Sequence, residues 1–428
     1  MKIFRYSDIN EKKALEKVIN SAVSVDEKAL KIASSIISSV KKRGDKALFA
    51  YSRKFDGFAA NRNNIRVKNF EIAAALKKVP KSIISALKKA KLNIERYHKK
   101  QKNKGYTLKT AFGKLNMRVI PIESAGVYIP GGKAAYPSSV LMNVIPAKIA
   151  GVSRIVMCTP AVNGRINPVI LAAAKICGVT EIYKIGGAQA IAALAYGTAS
   201  VKSVVKVTGP GNVYVAAAKQ LVFGKVGIDS IAGPSEVLIV ADNGNDPEYV
   251  AADMLAQAEH DEEARSIMIT NCPVFAGKVM MYISFQKSSL TRRNIIEKSL
   301  KNSLIVISED FDQTVEICNK IAPEHLELFS KEAILNASRF TNAGAVFIGE
   351  NSTVALGDYI AGTNHVLPTS GAAKFSSPLG VYDFFKYQSI AEVTKKGVTR
   401  LTAELKILAL AEGLDGHEKS VAIRRLDA

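Results

Sequence analysis

Cysteine is scarce and scattered: a chain of 428 residues carries four, Cys158, Cys177, Cys272 and Cys318, and no two form a C-x-x-C pair. That spacing argues against a disulfide framework. Each thiol has hydrophobic neighbours and none adjoins a histidine, so reduced, buried cysteines in a cytosolic protein are expected rather than a catalytic thiolate. Long apolar runs are missing too. The most apolar stretch, Ile185 to Leu194, is short and rich in Gly and Ala, and Met1 to Tyr6 has no apolar segment behind its charges. Neither a membrane span nor a secretory signal is expected. Two familiar motifs are also absent. No helix reads H-E-x-x-H, which removes the usual zinc-hydrolase signature, and Gly209-x-Gly211 is followed by Tyr214 where a dinucleotide fingerprint needs its third glycine.

Acid is short in one region only. Residues 1–118 hold 30 lysines and arginines against 9 acids, whereas the remainder holds 29 of each, so the whole net charge of +21 belongs to the first quarter. Clusters such as Lys41-Lys42-Arg43, Lys88-Lys89 and Lys99-Lys100 attract anions at long range. They recur at helical spacing without interleaved aromatics or a nucleic-acid motif, which fits a solvated helical face, and no nucleic-acid partner is expected.

With nearly half its residues apolar, the chain is long enough for several cores. Residues 26–57 and 69–103 read as helices, with Ile32, Ile36, Ile37 and Val40 on one face. From residue 127 short β-rich runs alternate with helical stretches: 127–129, 154–158, 181–185, 203–207, 236–240, 266–270, 304–307, 326–329 and 345–348. That alternation predicts parallel sheets covered on both sides. Two doubly wound α/β lobes are expected: residues 25–127 with 238–379 as the first, and 128–237 as the second. An N-terminal helical arm, 1–24, and a helical C-terminal tail, 380–428, complete the organisation. Ligands are expected beyond the carboxyl ends of the strands.

Histidine is rare, and four of the five sit in polar fragments: Gln257-Ala258-Glu259-His260, Pro323-Glu324-His325, Thr363-Asn364-His365 and Glu412 to His417. His98, in a lysine-rich helix, is the ordinary one. Gln257 and His260 share a face of a helix over 246–260. With Asp358 and His417 they make an N/O donor set suited to zinc or manganese, although polar residues on an amphipathic helix would read the same. Glu324 and His325 fall on a turn between a helix and a strand, as either solvated turn residues or a pair dividing two proton transfers. Several of the glycine blocks at 130–132, 186–189, 209–212 and 232–235 open helices. They suit phosphate binding or tight turns.

In this order the fragments resemble histidinol dehydrogenase. The resemblance covers residue 25 to His417 and is most specific at Val127–Gly132, Ile185–Ile191, Gly209–Asn212, Ala232–Glu236, Gln257–His260, Ala322–Leu328, Gly357–Pro368 and Glu412–His417. It implies two Rossmann-like lobes and oxidation of L-histidinol to L-histidine through the aldehyde, with two NAD. It implies zinc held by Gln257, His260, Asp358 and His417, the last from the neighbouring subunit of a homodimer. Glu324 and His325 become the proton-transfer residues. Ser235, His365 and Glu412 join the zinc ligands and His325 in binding substrate, and Tyr128, Gln189 and Asn212 contact NAD. Two features depart from the pattern: the basic first quarter and the acidic Asp261-Glu262-Glu263 after His260. Another amino alcohol as substrate is the nearest competing reading. A basic nucleic-acid-binding protein with a structural metal is a more distant one, and it leaves the Glu324–His325 pair unexplained.

Overall fold

The computed structural model describes residues 1–21, 26–131, 135–231 and 233–424. Gly132 and Ala232 of the glycine blocks lie outside the described residues, as do 22–24 of the expected arm and 425–428 of the expected tail. In chain order the strands are β1 (Lys2–Arg5), β2 (Tyr106–Thr110), β3 (Gly113–Pro121), β4 (Ser124–Tyr128), β5 (Arg154–Thr159), β6 (Glu181–Lys184) and β7 (Lys206–Thr208). There follow β8 (Gly227–Ile228), β9 (Glu236–Val240), β10 (Arg265–Thr270), β11 (Leu304–Ile307), β12 (His325–Leu328), β13 (Ala345–Ile348) and β14 (Phe385–Val393).

Two parallel sheets organise the molecule. One has the order β6-β5-β4-β7-β8 and the other β1-β11-β10-β9-β12-β13. Each winds outward in both directions from an interior strand, β4 in one and β9 in the other, with β1 added at the edge of the larger sheet, so each reverses at one point, between β4 and β7 and between β9 and β12. Every residue of β4 and β9 is buried, as strands covered on both faces must be. Their side chains alternate between cores: Leu238 and Val240 pack with Ile267, Val306 and Leu328, while Val237 and Ile239 pack with Val250, Met254 and Met268.

The α/β class and its parallel sheets agree with the sequence reading, but several boundaries do not. The helices of residues 27–99 cover the five-stranded sheet rather than joining residues 238–379. Ala33, Ile36, Ile37 and Val40 pack with Tyr128, Val156 and Leu194, and Ile72, Leu87 and Ile94 pack with Val127, Leu141 and Ile145. Gly44, with φ of 54°, separates Glu27–Arg43 from Asp45–Asp56, and Pro80 separates Asn69–Lys78 from Lys81–Lys99. Ile32 faces outward. The expected amino-terminal arm is helical over Ile9–Ser21, but it is no free arm: it opens with β1, which pairs in parallel with β11, and Phe4, Tyr6 and Leu15 enter the core beneath. The strand expected at 203–207 forms at Lys206–Thr208.

The segment after residue 380 is not wholly helical either. β14 runs antiparallel to β3 along nine residues, and β2 lies on the other side of β3. This three-stranded sheet carries the helices Lys395–Ala411 and Asp415–Ala422 away from the two lobes. Cys158, Cys177 and Cys318 are buried and unpaired, and burial pushes the Cys177 thiol up to about 12. Among the described residues no helix is long and apolar enough to cross a membrane.

Candidate active site

Register brings the chemistry together at the amino edge of the six-stranded sheet. β12 pairs with β9 so that His325 lies opposite Val237, which sets Glu324 and Glu236 side by side. The Glu236 backbone then holds both neighbours: its N–H donates to Glu324 Oε2 at 2.9 Å, and its carbonyl accepts from His325 Nδ1 at 2.9 Å. Donation through Nδ1 leaves the Nε2 lone pair of a neutral His325 free, and this buried atom has no hydrogen-bond partner. The turn position expected for the pair holds for Glu324, on the bend just before β12, and is corrected for His325, the first residue of that strand; both are buried rather than solvated. The carboxyl edge expected for this chemistry is corrected too, because helices returning from β9 and β13 deliver the remaining residues to the opposite edge.

The helix Pro247–Ala258 is capped by Asp246, whose carboxylate accepts from Glu248 N at 2.8 Å. It brings Gln257 to the site in its last turn, and His260 follows just past the helix end, its N–H donating to the Gln257 carbonyl at 3.2 Å. The short helix Val354–Tyr359 brings Asp358. Asp358 Oδ1 lies 3.7 Å from His325 Nε2 and 3.9 Å from His365 Nδ1. Burial alone would raise this carboxyl; His325, His365 and His260 hold it below its ordinary value. Burial lowers His260 and His365, favouring neutral imidazoles. Burial pushes Glu324 up to about 7 against the opposing pull of His325. For His325, burial acts downward but the Glu324 and Asp358 carboxylates outweigh it and push the imidazole up to about 9.

Gln257 tests whether the donors fit a metal. It is 2% exposed, yet neither its amide oxygen nor its nitrogen has a partner. A buried orphan amide beside a neutral imidazole and an ionised carboxylate is what an N/O-ligated dication would satisfy. One chain does not complete the set: among the described residues no group of three or more His, Cys, Asp or Glu side chains converges on one point. Glu412 and His417 are exposed on the tail and are not among the main charges acting on Glu324, His325 or Asp358. Ser235, half-buried, precedes Glu236, and its carbonyl accepts from Arg265 N at 3.0 Å.

The lobes meet here. His365 Nε2 stands 3.5 Å from Ser139 Oγ, at the start of the helix Pro137–Ala150 that follows β4. Adjacent Asn364 donates to the Met142 carbonyl at 2.9 Å and lies 3.2 Å from His98 Nε2, so the ordinary-looking histidine is a buried tie between lobes. The carboxyl edge of the five-stranded sheet therefore faces the cluster around His325, Asp358 and His365. Tyr128 ends β4 there, and its hydroxyl accepts from Gly187 N at 3.0 Å. Gln189 is buried with both amide atoms unpartnered, and Asn212 caps the helix Val213–Val222 by accepting from Tyr214 N and Val215 N. The acidic run after His260 is partly neutralised by Lys298, 3.1 Å from Glu262.

Sequence reasoning missed three participants. Glu236, whose side chain pairs with Arg265 at 2.6 Å, acts through its backbone and leaves no residue-type signal. Ser139 looked like any helix-opening serine. Glu327 lies on the same strand face as His325 by the two-residue period, a usable signal; its carboxylate accepts from Val354 N at 2.9 Å, at the head of the helix carrying Asp358.

Two doubly wound sheets that meet beside a buried carboxylate–imidazole pair make an α/β protein equipped for proton transfer, and the relatives make it an oxidoreductase. The sequence profile of histidinol dehydrogenase matches residues 20–425. A histidinol dehydrogenase of Listeria innocua is 48% identical over 407 residues, 95% of each chain. One of Rhizobium meliloti is 46% identical over 421 residues, 98% of this chain and 97% of that one. A crystal structure of histidinol dehydrogenase from Elizabethkingia anophelis superposes with a TM-score of 0.92 at 36% identity, covering 99% of this chain and 98% of the other. The chain belongs to the histidinol dehydrogenase family, whose reaction supplies the last steps of histidine biosynthesis.

Proposed function

We propose that this chain oxidises L-histidinol to L-histidine through L-histidinaldehyde, using zinc and two NAD in succession, at a site completed by a second subunit. The observation that carries the reading is the orphan Gln257 amide, three residues before a His260 whose imidazole acts on Asp358, with a Glu324–His325 pair pinned by one backbone unit. Gln257, His260 and Asp358, with His417 of the partner subunit, would hold the zinc. When bound, zinc templates the substrate's imidazole and amine, and NAD takes one hydride in each oxidation.

The remaining work falls to side chains. With Asp358 engaged as a ligand its charge no longer raises His325, whose Nε2 can then be neutral and accept the alcohol proton as the first hydride leaves. Glu324, pinned through one oxygen, takes a proton from water adding to the aldehyde with its other oxygen. His325 then accepts the hydrate proton in the second hydride transfer. Ser235, His365 and Glu412 of the partner subunit contact the substrate, while Tyr128, Gln189 and Asn212 line the dinucleotide edge. The lobes closing over both steps keep the aldehyde from escaping before it is hydrated and oxidised.

A shared site is supported by the tail, whose Ile407, Leu408, Leu410 and Leu414 are exposed around Glu412 and His417. Unpaired thiols support a cytoplasmic location. The test is formation of NADH from L-histidinol by the purified protein. Turnover of a different amino alcohol with none of histidinol would transfer the assignment to that substrate.

A further inference from the structure

Beneath the dinucleotide edge lies an ion pair that the chemistry above does not use. Lys219, on the helix Val213–Val222, is 1% exposed, and its ammonium pairs with the Asp229 carboxylate just after β8. The two side chains converge on one residue of the loop after β7. Lys219 Nζ donates to the Gly209 carbonyl at 3.1 Å, and Gly209 N donates to Asp229 Oδ2 at 2.8 Å. Gly209 has φ of 113°, and a Cβ there would collide with the Tyr128 carbonyl. The residue thus presses on the backbone of β4 at the point where the sheet reverses. Three residues later Asn212 caps the helix from which Lys219 reaches back.

We propose that the Lys219–Asp229 pair is the positioning device of the dinucleotide loop, fixing Gly209–Asn212 against Tyr128 and so setting affinity for NAD. It rests on the assignment of Tyr128, Gln189 and Asn212 to NAD. Stability alone does not account for the pair, because apolar residues of equal volume commonly serve a buried site as well as two desolvated charges. What apolar residues cannot do is grip both the N–H and the carbonyl of one glycine. The pair touches no substrate atom and lies on the lobe opposite Glu324 and His325, so its effect is confined to the nucleotide.

The test uses the zinc-loaded enzyme and the variants Lys219→Met and Lys219→Met/Asp229→Asn. The double variant removes both charges with near-equal volumes and leaves no buried charge unpaired. NADH binding is titrated by fluorescence alongside steady-state kinetics. The expected result is binding at least tenfold weaker and an equal rise in the KM for NAD in the double variant. Its KM for histidinol, its kcat at saturating NAD and its metal content stay within twofold of wild type. A folded double variant with unchanged NADH affinity overturns the proposal, and so does failure of that variant to fold, which would make the pair a support of the lobe instead. Wild-type protein that bound no NADH would overturn the nucleotide assignment itself, a separate outcome.

Discussion

Glu324→Gln separates the two oxidations. The amide that replaces the carboxylate keeps an oxygen able to accept from Glu236 N, now 2.9 Å from Glu324 Oε2, so the pinning bond, worth about 1 kcal/mol, survives and the fold with it. What disappears is the ability to take a proton from water. Removing a positioned general base costs roughly 10²–10⁴-fold, about 3–5 kcal/mol of barrier. That loss falls on the aldehyde-to-acid step alone. The alcohol step depends on His325, which loses the carboxylate that still raises it once Asp358 is engaged as a ligand; its pKa falls, and the acidic limb of the alcohol-oxidation profile moves to lower pH. The assay supplies L-histidinol or L-histidinaldehyde in separate single-turnover experiments and follows NADH. Oxidation of the aldehyde should fall at least a hundredfold and oxidation of the alcohol less than tenfold. Equal losses in the two half-reactions would refute the division of labour, though not the place of the site.

Metal analysis should find about one zinc per subunit, and His260→Ala should abolish it; unchanged content would remove His260 from the ligand set. His260→Ala and His417→Ala should each be nearly inactive, yet an unfolded and refolded equal mixture should regain about a quarter of wild-type sites if ligands come from two chains under random pairing. A mixture shown to contain heterodimers but still inactive would place both ligands in one chain. Glu327 is pushed up to about 8 by burial and by Asp253, so its folded pKa exceeds its unfolded one. Its contribution to stability is present at low pH and is lost as pH rises from the ordinary glutamate range to about 8. Glu327→Gln should flatten that decline in thermal unfolding of metal-free protein, and an unaltered slope would contradict the assignment.

The parallel strands were legible because runs buried on both faces, such as Glu236–Val240 and, apart from half-buried Ile307, Leu304–Ile307, leave a continuous apolar, β-branched signature. β2, β3 and β14 were not, because their sheet is largely exposed and the alternation of Phe385-Lys386-Tyr387-Gln388, a strand period, is overshadowed by the helical segments of the tail. Lobe membership of residues 27–99 depends on which sheet a helix covers, a choice that periodicity does not encode. At the site, residue types pointed to Gln257, His260, Glu324, His325 and Asp358, and the fold brings those five together at one sheet edge. The edge itself was misplaced, because returning helices carry ligands as readily as strand-end loops do. A contribution made through backbone, as at Glu236, has no residue-type signature, whereas Gly209 shows itself only as one glycine of the block at 209–212.

The central claim is tested most directly by counting NADH formed per L-histidinol consumed, before chelation, after it, and after zinc is restored. Two NADH per histidinol, lost with the metal and regained with zinc, is the predicted result. One NADH per histidinol with free aldehyde accumulating, or full turnover in the metal-free protein, would contradict the account.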